Sequence, residues 1–240
     1  MDEQFTRTIR LIGQEQFEIL KNAKVLVVGI GGVGGYVVEM LARCGIGAID
    51  LVDNDKISMS NINRQIIATM DTIDAYKVDE MKKRILSINP KCNVHTLATF
   101  LLKENMDSLH FENYDYVVDA IDTVSSKLAM IEKCYQVKTP IISSMGTGNK
   151  LHPERLEITD ISKTSVCPLA RVMRYELRKR GIQHVKVCYS KEEPIQKSEY
   201  SGESNKPTPA SIAFVPSVAG ILIASAVVND LLNTKKEIVE

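Results

Sequence analysis

The sequence has no CxxC pair, and its five cysteines (Cys44, Cys92, Cys134, Cys167 and Cys188) are scattered and odd in number. That argues against a disulfide framework and a four-cysteine zinc site, so no structural zinc is expected. An excess of charge is missing too. Thirty basic and 30 acidic residues leave a formal net charge of zero. Bulk electrostatic attraction to nucleic acid is therefore absent, and only a local basic patch can supply it. The four histidines (His95, His110, His152 and His184) show no metal-ligand spacing. The opening MDEQFTRTIR lacks the apolar core of a signal peptide, so a reducing cytoplasm is the expected compartment. One long apolar stretch, 210–228, is almost uncharged. A membrane span needs about 20 predominantly apolar residues. Pro216, Gly220 and the serines at 211, 217 and 225 favour a buried final strand and helix of a soluble domain, with membrane association as the alternative reading.

What is present begins with Val25–Val28, four apolar residues that run into Gly29-Ile-Gly31-Gly32-Val-Gly34-Gly35 and then a helical pattern to about Cys44. A buried strand, a glycine turn and a helix N-terminus form a phosphate cradle. Glycine permits the turn and close backbone approach, and the helix start offers free N–H groups and partial positive charge. A second strand, Ala48–Val52, ends in Asp53, about twenty residues past the turn, where a carboxylate accepts hydrogen bonds from ribose hydroxyls. A polar loop follows over 54–74. Helical spacing covers 75–88, strands suit 94–98 and 116–120, a helix fits 125–136 and a further strand 140–144. This alternation predicts an α/β, Rossmann-like, doubly wound and mostly parallel sheet with helices on both faces. Residues 1–240 are expected to form a single nucleotide-binding domain. Residues 2–21 read as an amphipathic helical arm, 190–209 as a mobile loop, and 210–233 as the C-terminal strand and helix.

Past Asp53, the segment Asp53-Asn-Asp55-Lys-Ile-Ser-Met-Ser-Asn61-Ile-Asn63-Arg64-Gln65 crowds donors and charges beside the ribose position, with Lys77 further on and Asp122 closing a later strand. A pyrophosphate bridge alone needs fewer. Arg64 and Lys77 suit a triphosphate, and a carboxylate such as Asp122 can hold Mg²⁺. Asp119, just before it, reads as structural. Asp55 is either a loop solvator or a second metal contact. Arg171, Arg174 and Arg178 fall at i, i+3 and i+7 and share a face of a helix expected over 168–181, with Lys179, Arg180 and Lys186 extending the positive region. Charge alone makes this a solvated face.

GIGGVGG, LVDNDKISMSNINRQ, DAYKVDEMKKRILSINP and VVDAIDT occur in that order over residues 24–123. On these motifs the chain resembles the ThiF/MoeB/ubiquitin-activating-enzyme-like adenylyltransferases, more weakly from residue 4 and on to about residue 232. Within that family it is most similar to the branch that dehydrates threonylcarbamoyladenosine in tRNA. The resemblance rests there on ARCGIGAIDLVDND, NINRQI, INPKCNV, VVDAIDTVSSKLAMIEKC and DISKTSVCPLARVMRYELRKRGI. It implies a ThiF-type C-terminal extension and ATP with Mg²⁺ as cofactors. The implied reaction is adenylation of a carboxylate with release of pyrophosphate and then AMP. A sulfur-carrier C-terminus is the alternative substrate, although the CxxC pairs of such enzymes are missing.

The resemblance also implies residue roles. Gly29, Gly31, Gly32 and Gly34 would cradle phosphates and Asp53 would hold the ribose, with Asp55 nearby. Asn61, Arg64 and Lys77 would contact the triphosphate, Asp122 would place Mg²⁺, and Gln65 would support them. Arg7 occupies an N-terminal region that can reach into a partner's site in a homodimer. Cys167 is a nucleophile or an inert substitution. The Arg171–Arg180 face becomes a candidate tRNA contact, and a cysteine-desulfurase or sulfur-acceptor system a candidate further partner.

Overall fold

The computed structural model describes residues 3–195 and 209–234. The N-terminal arm is two helices, α1 (Thr6–Ile12) and α2 (Gln14–Asn22), broken at Gly13, whose φ of +86° few other residues adopt. Phe5 and Phe17 meet across the break with ring centroids 5.3 Å apart, which folds the arm back on itself. The sequence then alternates as its periodicity predicts: β1 (Lys24–Val28), α3 (Gly34–Cys44), β2 (Ala48–Val52), α4 (Lys77–Ile88), β3 (Asn93–Leu97), β4 (Tyr116–Asp119), α5 (Val124–Val137) and β5 (Ile141–Ser144). Beyond these lie β6 (Leu156–Asp160), α6 (Pro168–Lys179), β7 (Lys186–Ser190) and α7 (Phe214–Thr234).

The seven strands form one sheet in the order β3-β2-β1-β4-β5-β7-β6. Every pairing is parallel except β6 with β7. The order reverses between β1 and β4, and at such a switch point the loops leaving the carboxyl ends diverge and open a crevice. Here those loops begin at Gly29 and Ala120. Their start is pinned by Gly29 N–H donating to Val52 O and Ala120 N–H to Val28 O, each at 2.8 Å. Val25, Val27, Ile49, Leu51 and Val118 are buried on one face beneath residues of α3, α4 and α7, while Leu26, Val28 and Val117 pack on the other against α5.

The expectations for the C-terminal third need two corrections. The edge strand β6 and its antiparallel neighbour β7 are not anticipated from the sequence, because LEITD alternates over only a few residues and KVCYS carries a short apolar run instead of an alternation. The expected strand at the start of 210–233 is absent; 210–213 is irregular and α7 follows as one helix. Pro216 falls in its first turn, where a missing N–H costs no intrahelical bond. Val215, Ala219, Ile223, Val227 and Leu231 are buried along one side. Gly220 makes the crossing with α3 possible, since a β-carbon there would sit 2.4 Å from Val33 O. By length and composition α7 could cross a membrane, but half of its apolar stretch is buried inside this domain. Of the loop expected over 190–209, Ser190 closes β7, and 196–208 lie outside the described residues.

Candidate active site

The crevice is a cavity of about 360 Å³ lined by the glycine turn, the end of β2, the 61–65 turn, Lys77, Thr99–Leu101, the 120–123 loop, Ser126, Thr147, Ser211 and Pro216. Its floor depends on glycine at two points. Gly29 has φ +92°, and a β-carbon there would meet Ala120 O at 2.6 Å; one on Gly34 would sit 1.8 Å from Gly29 O. Only bare backbone lets the turn fold this tightly against the next loop and leave α3's N-terminus open to a ligand.

Asp53 ends β2 beside this turn. Its Oδ2 accepts the Ile30 N–H at 2.6 Å and its Oδ1 accepts the Asp55 N–H at 2.8 Å, so it ties the glycine turn to the loop after β2. A carboxylate has lone pairs left to accept a hydroxyl. Lys77 is the first residue of α4 and is only 5 % exposed. Its Nζ lies 2.7 Å from Asp55 Oδ2 and 3.9 Å from Asp53 Oδ1. Asp55 therefore aims Lys77 in this structure, a role more specific than loop solvation.

Asn61, Arg64 and Gln65 come from a short turn after β2. Asn61 is buried, and its Oδ1 accepts the Ser58 N–H at 3.1 Å, which leaves its amide N–H groups to meet a ligand. Arg64 donates from Nη1 to Ser60 O and to Asn63 Oδ1, each at 2.9 Å. Gln65 is buried with an Oε1 that has no hydrogen-bond partner. A buried acceptor left unpaired costs on the order of 1–3 kcal/mol, and one lining a polar cavity fits a site that a ligand or its water completes.

Asp122 is exposed at the cavity mouth on the loop after β4. Among the described residues, no three His, Cys, Asp or Glu side chains gather to hold a metal. Mg²⁺ keeps several waters and takes one or two carboxylates together with phosphate oxygens, and Asp122 fits that pattern where Asp53 and Asp55 are already engaged.

Beneath this loop lies a network only partly legible in the sequence. Asp119 and Lys127 are both fully buried, 2.9 Å apart. Ser143 donates to Asp119 Oδ2 at 2.5 Å, and Lys127 also donates to Ile121 O at 2.9 Å. The structural reading of Asp119 matches this geometry; the part of Lys127, in the first turn of α5, gives no local signal. Thr99 and Phe100, also unanticipated, lie just past β3. The rule that ligands sit beyond strand carboxyl ends would have found them.

Other candidate residues fall elsewhere. Arg7 is exposed on α1 and does not line this cavity. Cys167 caps α6 and is buried. Burial pushes the Cys188 thiol up to about 12 and the Cys92 thiol up to about 11, which keeps both from acting as thiolates. Of the basic helix, Arg171 and Arg178 are exposed. Arg174, expected on the same solvent face, turns back to donate to Thr164 O at 2.9 Å. Arg180 pairs with Glu132 and Glu176, Lys179 with Glu176, and Lys186 with Asp230. Sequence spacing places residues on a face but does not show which acids other elements bring to it.

Residues 5–239 match the ThiF family. The chain is similar to the tRNA threonylcarbamoyladenosine dehydratase of Bacillus subtilis, with 44 % identity over 97 % of this chain and 96 % of that protein. It is 40 % identical to the Escherichia coli enzyme of the same name over 73 % of this chain and 66 % of that one. A crystal structure of the E. coli tRNA N6-threonylcarbamoyladenosine dehydratase in complex with ATP superposes with a TM-score of 0.89 at 32 % identity, covering 98 % of this chain and 96 % of that one.

Proposed function

Because this chain belongs to the ThiF family, we propose that it is an ATP-dependent dehydratase that cyclises N6-threonylcarbamoyladenosine in tRNA. The observation that supports this most directly is that the glycine turn, Asp53, Asn61, Arg64, Lys77 and Asp122, drawn from separate segments, line one cavity at the switch point of the sheet. The resemblance of the whole chain to dehydratases of that name narrows the substrate.

The threonyl carboxylate attacks the α-phosphorus of ATP. A new carboxyl O–P bond forms, the α–β bridge breaks, and pyrophosphate leaves. A nucleophile within the same modification then attacks the activated carbonyl, loses its proton and expels AMP. The oxygen of the water formally lost departs on AMP. No enzyme nucleophile is needed, because the internal attacker is already held near its target. Arg64 and Lys77 neutralise charge that grows on the departing pyrophosphate, and Asp53 holds the ribose. Bound Mg²⁺ would offset phosphate charge, with Asp122 as its protein ligand. A cytoplasmic homodimer belongs to the same proposal, with Arg7 on an exposed helix able to serve a second copy.

Incubation with ATP, Mg²⁺ and tRNA carrying the threonylcarbamoyl group is expected to give a nucleoside lighter by one water in mass spectrometry. An unchanged nucleoside, with AMP formed instead on a sulfur-carrier C-terminus, would overturn this reading. For tRNA binding the exposed cations are the relevant ones. Arg171→Ala with Arg178→Ala is expected to weaken tRNA binding and to flatten the slope of affinity against salt by about 1 for each phosphate that is no longer neutralised. An unchanged slope would return α6 to a solvated face.

A further inference from the structure

Arg64 is held by a chain of amides that crosses the molecule. Its Nη1 donates to Asn63 Oδ1 at 2.9 Å. Asn63, on the exposed side of the turn, donates from Nδ2 to Ser211 O at 3.1 Å, 148 positions along the sequence. The residue before Ser211 is clamped in turn. Asn149 N–H donates to Ala210 O at 2.7 Å, and Ala210 N–H donates to Asn149 Oδ1 at 2.8 Å. The carbonyl of Asn149 also accepts the Ile195 N–H at 2.8 Å. Asn149 has φ +58°, a left-handed conformation that asparagine tolerates better than most residues. Thr147, two positions before it, and Ser211 both line the cavity.

We propose that Asn63 and Asn149 are positioning residues that hold the Arg64 guanidinium ready for the pyrophosphate. The proposal rests on the role of Arg64 given above. A primary amide suits the place of Asn63 because it accepts from Arg64 and donates to Ser211 at once; a carboxylate there could accept but not donate, and an apolar side chain could do neither. A free arginine side chain loses rotamer entropy on being fixed. An arginine already fixed loses less when the substrate arrives. Asn149 acts one step further back: it sets where the Ser211 carbonyl stands, and so where Asn63 can stand.

The test measures AMP formation for Asn63→Ala, Asn149→Ala, Arg64→Ala and the Asn63→Ala/Arg64→Ala double variant, with thermal unfolding of each. Asn63 is exposed, so Asn63→Ala should unfold close to the wild-type temperature while kcat falls about tenfold. Asn63→Gln should recover part of that loss. Added to Arg64→Ala, Asn63→Ala should change nothing further, because its effect runs through the arginine. A multiplicative loss in the double variant, or wild-type kcat in Asn63→Ala, overturns the positioning role while leaving Arg64 in place. Wild-type turnover by Arg64→Ala overturns the assignment of Arg64 itself. Asn149→Ala should likewise lower kcat and add nothing to Asn63→Ala. If it unfolds early, Asn149→Gly, which keeps the left-handed backbone and removes the acceptor for the Ala210 N–H, replaces it, and wild-type kcat there overturns the role of Asn149.

Discussion

Arg64→Ala is expected to lower ATP-dependent AMP formation by about a hundredfold to a thousandfold, the usual cost of removing one group that stabilises charge developing in a transition state. The folded protein should survive the change. Arg64 is only partly buried, and its two hydrogen bonds, to Ser60 O and Asn63 Oδ1, lie at the surface. Its loss should therefore leave the unfolding temperature near that of the parent. If the guanidinium acts mainly on the leaving pyrophosphate, kcat falls more than the affinity for ATP. A variant that binds ATP tenfold more weakly but turns over at the parental rate would instead make Arg64 a ground-state ligand. Lysine should rescue poorly, because a point charge cannot present two parallel N–H groups to a phosphate. Steady-state AMP release with equilibrium ATP binding separates these outcomes.

Lys127→Ala should act on the fold rather than on a substrate. Its ammonium and the Asp119 carboxylate are both fully buried 2.9 Å apart, with Ser143 and the Ile121 carbonyl completing their hydrogen bonds. Removing the cation leaves a carboxylate buried without its counter-charge. Breaking one partner of such a pair costs about 3–5 kcal/mol, even where the intact pair adds little net stability. For a domain of this size that lowers the unfolding temperature by about 6–20 °C. The 120–123 loop rests on this pair, so Asp122 should lose its place as well. A denaturant midpoint within experimental error of the parent would show that the pair is dispensable. Lys127→Met with Asp119→Leu should recover stability relative to Lys127→Ala, because apolar groups of similar size remove both charges together.

Much of the site could be read directly from the chain. The glycine spacing announced a tight turn because no other residue fits Gly29 and Gly34 against Ala120 and Gly29 O. Asp53 was legible because strand and turn place it at a fixed distance along one βαβ unit. Arg64, Lys77 and Asp122 were legible through order and motif, and all three line the cavity. Other features were hidden for a common reason. Lys127 looks like any lysine on a helix until the fold surrounds it with Asp119, Ser143 and the Ile121 carbonyl. Arg174 keeps the right spacing for an exposed face, yet Thr164 captures it. The edge strand β6 and its neighbour β7 are each only five residues long, too short for their own pattern to announce them without the strand beside them.

The sequence by itself determined the strand–helix alternation, the glycine turn and the identity of the charged groups that line the cavity. The first two depend on periodicity and backbone freedom within a few dozen residues, and the charged groups on the order of motifs along the chain. Tertiary structure alone decided which groups those charges are aimed by: Asp55 for Lys77, and Asn63, Ser211 and Asn149 for Arg64. A hydrogen bond between residues 148 positions apart leaves no trace in local pattern. It exists only because the sheet order brings the turn after β2 beside the segment that enters α7.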